Sequence, residues 1–173
     1  MIKLMQPVFV YLSYSRSMTR LLTGVLLAVI LMPACKKADK DDPFSGDYLI
    51  FGHFYGECIG EGCVETYKLT DTKLYEDTND NYSGAEPFSF IELTEVQFDK
   101  VRDLIDDFPQ ELLNEGEEVF GCPDCADQGG LLIRYAKNGD IKTWRIDQNK
   151  EVVPAYLHGF MDSVNEKIGL INH

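Results

Sequence analysis

Positive charge is scarce in this chain: 16 Lys and Arg face 29 Asp and Glu over 173 residues, a formal net charge of −13. So acidic a surface repels phosphate backbones and anionic headgroups, which excludes nucleic acid as a partner and excludes a polybasic membrane patch. Histidine is rarer still, with His53, His158 and His173 only. There is no His-Glu-x-x-His pair, no Gly-x-Ser-x-Gly elbow and no glycine-rich phosphate loop, so no known catalytic set is present. Paired acids such as Asp106-Asp107 or Glu117-Glu118 are too common in this composition to mark an acid–base couple. The expectation is a protein without enzymatic activity, catalytic residues, cofactor or bound metal.

Long hydrophobic runs are missing too. Leu21 to Met32 would rise only about 18 Å as a helix against a hydrocarbon thickness of about 30 Å, and Pro33 breaks it. A spanning helix is therefore not expected. The run follows Arg20 and leads to Ala34-Cys35, with Lys36 and Lys37 behind. This arrangement resembles a bacterial lipoprotein signal, in which a small residue precedes a cysteine that is lipidated and becomes the first residue of the mature chain. The resemblance implies that residues 1–34 are a signal peptide and that Cys35 is the lipid-attachment site. It further implies an outer-membrane location, on the periplasmic or the cell-surface side, with palmitate-type chains rather than protein holding the membrane. Met18-Thr19-Arg20 makes a short cationic start directly before the apolar run, so Met18 is the expected true start.

Beyond residue 34 the chain keeps 13 Lys and Arg against all 29 acids, a formal −16. Residues 35–46 begin Cys-Lys-Lys-Ala-Asp-Lys-Asp-Asp-Pro, too polar to fold, and read as a charged tether. Residues 47–173 suffice for one domain.

Within that domain, Asp47 to Tyr55 reads as a buried strand, and Glu65 to Glu76 as a hairpin turning near Thr70-Asp71, with Tyr67 and Leu69 on one face. Asp77 to Gly84 is a polar loop. Its alternating oxygen-bearing side chains suit calcium, yet Tyr82 stands where an EF-hand loop needs glycine and Phe88 where it needs glutamate. Thr94 and Gln97 have capping-box spacing, and Phe98, Val101, Leu104, Ile105 and Phe108 form a helical stripe up to Pro109. Leu131 to Lys137 and Asp140 to Ile146 flank Asn138-Gly139, the residues of a type I′ turn. A last helix is expected from Pro154, with Leu157, Phe160, Met161, Val164 and Ile168 inward and Gly169 as its αL cap. The fold class is α+β: an antiparallel sheet of two hairpins and an N-terminal strand, with both amphipathic helices on one face. The order cysteine pair, hairpin, helix occurs twice, as in a ββα pseudo-repeat.

Five cysteines are present. With Cys35 lipidated, Cys58, Cys63, Cys122 and Cys125 remain, an even set that in an exported protein favours disulfides. Short glycine-rich spacings favour local pairs. Cross-pairing stays open, since it would close longer loops and stabilise more in the chain-entropy model. Cys122-Pro123-Asp124-Cys125 also has redox spacing, and the four thiolates together could serve zinc. The segments Gly56 to Cys63 and Gly121 to Gly130, with Trp144 downstream, resemble those of small cysteine-containing lipoproteins of Bacteroidetes-type bacteria, which implies location and fold but no activity.

Two functions follow as expectations. One is a non-enzymatic binding module, disulfide-stabilised and membrane-anchored, whose sheet face opposite the helices meets an envelope protein or glycan through tyrosines such as Tyr55, Tyr75 and Tyr135. The alternative is a thiol-redox or zinc-binding protein using Cys58, Cys63, Cys122 and Cys125.

Overall fold

Strand β1 (Tyr48–Phe54) alternates between two apolar faces, with Leu49 and Phe51 on one and Tyr48, Ile50 and Phe54 on the other. A strand buried on both faces belongs at the centre of a sheet, and in the computed structural model of the protein, which describes residues 45–172 apart from Glu86, it lies there. Cys35 and the run Leu21 to Met32 lie outside the described residues. β2 (Val64–Leu69), β3 (Leu74–Asp77) and β4 (Phe90–Glu92) extend the sheet to one side. β6 (Gly130–Lys137), β7 (Asp140–Asp147) and β5 (Val119–Phe120) extend it to the other. Every pairing is antiparallel except β5 with β7.

Both expected hairpins form. Thr70 N–H donates to Lys73 O across the first turn, while Asn138 and Gly139 take φ of 54° and 89° to close the second, as a type I′ turn requires. The short strands β4 and β5 carry too little alternation to be read in advance.

Helix α1 (Glu95–Val101) starts at a complete capping box between Thr94 and Gln97 and continues as a 3-10 turn over Arg102–Ile105. Helix α2 (His158–Ile171) runs through Gly169 rather than ending there, with Asn172 as its cap. The reason is packing: Ile171 is buried against the core, and Lys100 Nζ donates to Leu170 O at 2.7 Å, placing a cation on the helix C-terminus. Both helices cover the β1 face that carries Leu49 and Phe51, in one core with Trp144 and Ile146. Phe108 is its keystone, with ring centroids 4.2 Å from Tyr135, 5.6 Å from Phe160 and 6.0 Å from Trp144. Tyr135 therefore belongs to the helix-side core, not to an exposed patch on the opposite face.

The two ββα units flank β1 with equivalent strands running in the same direction and both helices on one face. Such an arrangement is mirror-related. The units share an order of elements but no rotation superposes them.

Phe108→Ala should cost about 3–5 kcal/mol of unfolding free energy. Chemical denaturation checks this, and a loss below about 1 kcal/mol would remove Phe108 from the centre of the core.

Candidate functional site

β1 begins near Ser45 and ends, about 20 Å away at the usual strand rise, where β2 and β6 begin: Phe54 faces Val64 on one side and Gly130 on the other. The four folded-domain cysteines meet this end of the sheet. The β1–β2 connection carries a Cys58–Cys63 disulfide, with Cα atoms 5.6 Å apart, and the segment before β6 carries a Cys122–Cys125 disulfide, with Cα atoms 5.5 Å apart. Four sulfurs held in two local bonds offer no thiolate set to zinc. Among the described residues, no group of three or more His, Cys, Asp or Glu could hold a metal ion.

Asp124, inside the second loop, joins these segments. Its Oδ2 accepts Gly56 N–H at 2.6 Å from the base of the first loop and the Tyr82 hydroxyl at 2.8 Å, while Oδ1 accepts Gly129 N–H at 2.9 Å. The residue sits at φ 65°, a left-handed conformation that aspartate tolerates better than most side chains. A Cβ at position 56 would lie 2.5 Å from Asp124 Oδ2, so any larger residue there would push the carboxylate aside. The Tyr82 hydroxyl, with help from the two backbone donors, holds the Asp124 carboxyl below the usual carboxylate range, and the same contact pushes the Tyr82 phenol up.

Asp147 anchors the second loop from below. Nearly wholly buried at 2% exposure, it accepts Cys122 N–H at 2.9 Å through Oδ2, and Gln128 Nε2 at 3.0 Å and Asn149 N–H at 2.8 Å through Oδ1. Burial alone would raise its pKa, but these donors outweigh it and leave the carboxyl below its ordinary value. Two ionised carboxylates so close to Cys122 and Cys125, with no helix starting at either cysteine, oppose the electropositive setting that activates a catalytic thiolate. The geometry suits a bond that fixes loops, not a recycling redox centre.

The sheet face opposite the helices is covered by the connection from β3 to β4, residues 78–89, which folds back as a flap. Beneath and beside it stand three cations matched to rings. Lys68, 1% exposed, has Nζ 4.7 Å from the Tyr48 centroid, 5.6 Å from Tyr75 and 5.7 Å from Phe90. Arg134 lies 5.1 Å from Phe88, and Arg145 lies 4.0 Å from Phe54 and 5.5 Å from Tyr82. Such contacts gain strength as the cation leaves water. Arg145 also donates to Ser83 O at 2.8 Å. Gly84 at φ 65° lies against Leu132, whose methyls a Cβ would approach to 2.7 Å.

Of the tyrosines expected on this face, only Tyr75 stands there. Tyr55 is half-buried on the helix side beside His53, at 5.0 Å between ring centroids. His53 sits low in pKa because burial outweighs its contact with Gly62 O, at 3.1 Å. The polar loop from Asp77 does not gather ligands: Asn81 closes its own turn on Ser83, and Asp77 Oδ1 accepts Asn79 N–H and Ser89 N–H. Asp77 Oδ2 is buried without a hydrogen-bond partner. An open groove of about 940 Å³ lies at the opposite end of the sheet, where Lys68, Lys73 and Lys137 are balanced by Asp47, Asp71 and Asp106.

Asp124, Tyr82, Arg145 and Asp147 had no sequence signal as a set, since Tyr82 and Asp124 are 42 residues apart. No protein-family model and no curated protein matches the chain.

Because the Asp147 pKa is depressed on folding, its contribution is present above the unfolded value of about 3.9 and is lost as pH falls through the folded value. Asp147→Asn should therefore be less stable than the native protein at pH 7, with the gap narrowing below about pH 4. Thermal unfolding across pH checks this, and a gap independent of pH would remove the charge from the argument.

Proposed function

We propose that this chain is a lipid-anchored protein of the bacterial outer membrane that acts as a non-enzymatic binding module, presenting the disulfide end of its sheet to an envelope protein or glycan. The observation that carries the reading is the convergence of two disulfide-closed loops on Asp124 at the far end of β1 from Ser45. The described chain enters the domain at Ser45, at the opposite end of β1 from these cross-linked loops. Rigid loops lower the entropy lost on binding. Ile59 is fully exposed at the tip of the first loop and Tyr82 is 41% exposed beside the second, apolar contacts that binding would bury. Glu57 beside Ile59, and Asp127 after the second disulfide, give this end the acidic character of the whole chain. The favoured partner surface is basic at its rim.

Detergent phase partition of the full chain in its native type of host should place the protein in the detergent phase, with a mature N-terminus at a modified Cys35. Cys35→Ser should stay unprocessed, keeping the apolar run Leu21 to Met32 and carrying no acyl mass at position 35. A native protein whose Cys35 is unmodified would end the anchored reading. For the binding end, a photo-crosslinking residue replacing Ile59 in living cells should give a discrete adduct that the same residue at Thr72 does not. No adduct at position 59, or the same adduct at both positions, argues against it.

A further inference from the structure

The flap over the second sheet face is fastened at one place by a residue that a disulfide holds. Tyr82 is its outer residue, and the Tyr82 hydroxyl ends on Asp124 Oδ2, within the four-residue loop closed by Cys122 and Cys125. The remaining fastenings of this part of the flap come from the sheet itself. They are the edge-on contact of Tyr82 with Phe54 at 5.2 Å, the Arg145 bond to Ser83 O, and Gly84 against Leu132. Beneath lie Phe54 and Leu132, at 2% and 3% exposure, apolar side chains against which Tyr82 and Gly84 of the flap pack.

The two disulfides differ in access. Cys122 and Cys125 are both exposed, whereas Cys63 of the other pair is buried and its carbonyl accepts Tyr55 N–H at 2.9 Å. An attacking thiolate needs access to a sulfur, and the second pair is the one whose two residues are both exposed. Within its loop Asp124 takes a positive φ of 65°. A non-glycine residue persists in that region when its surroundings enforce it.

From these placements we infer that Cys122–Cys125 is a loop-fixing bond that an external dithiol reduces, a switch and not a recycling catalyst, and that its reduction unlatches the flap and uncovers the Phe54–Leu132 face. In the exchange, one thiolate of the incoming dithiol attacks a sulfur of the bond and the second displaces the mixed disulfide. The dithiol gives up two electrons and two protons and closes to its own disulfide, and Cys122 and Cys125 become thiols. Asp124 then loses the loop that aims it, the Tyr82 and Gly56 bonds go together, and the flap swings on Asp77 and Ser89, which stay joined through Asp77 Oδ1 at 2.5 Å. The opening goes beyond the binding role proposed above and rests on it only for what the uncovered face would meet. The test below needs no partner, so the two readings can fail separately.

Full-length protein in detergent, titrated with dithiothreitol, is alkylated and mapped by mass spectrometry while hydrogen exchange is followed. The expected result is reduction of Cys122–Cys125 before Cys58–Cys63. The Gly84 amide, bonded to Asn81 O at 2.8 Å, together with the Gly56 and Gly129 amides, should then exchange at least tenfold faster, with β6, β7 and α2 unchanged. Asp124→Ala, with both disulfides intact, should show the fast flap exchange already in the oxidised state and no further change on reduction. Three results overturn the inference: Cys58–Cys63 reduced first, flap exchange unchanged after Cys122–Cys125 opens, or loss of protection throughout the domain, which would make the bond a global staple.

Discussion

Burial of β1 on both faces is the constraint on which the structure depends. A sheet covered on one side only would leave Tyr48, Ile50 and Phe54 in water, and each fully buried apolar side chain contributes about 1.5–3 kcal/mol. Two covers are therefore required, and the chain supplies them differently. Helices α1 and α2 provide an ordinary apolar layer around Phe108. The second cover is a loop, and it could not be a third helix because its sequence, from Thr78 to Ser89, is polar and turn-rich.

A polar loop can shield a sheet only if the sheet offers it something polar. The second face does so with Lys68, Arg134 and Arg145, whose charges would be costly to bury alone. Tyr48 and Phe54 of β1 and Phe88 of the flap set their rings against these cations, and Arg145 also donates to the flap carbonyl of Ser83. Few basic residues exist in this acidic chain, and three of them are committed to this layer. The surface is left more acidic as a result.

The disulfides act on shape more than on global stability. They span sequence separations of five and three, and short closed loops remove little entropy from the unfolded chain. What they fix is the position of Asp124, whose three hydrogen bonds tie the β1–β2 loop, the flap and the start of β6 into one rigid end. Cross-pairing would have stabilised the unfolding equilibrium more and left both loops free to move.

Local pattern alone determined the α+β class, both hairpins, the capping box at Thr94 and the inward stripe of each helix. Each rests on residues within a few positions of one another, where periodicity and turn chemistry act directly. Tertiary structure decided the rest, because its causes lie far apart along the chain. It set Tyr135 against Phe108 instead of on the open face and carried α2 past Gly169 to bury Ile171. It also added β4 and β5 as edges too short to show alternation. The Asp124 junction joins residues from Gly56 to Gly129 by single hydrogen bonds, which leave no periodic trace in sequence and exist only once the sheet has brought the ends of β1, β2 and β6 together.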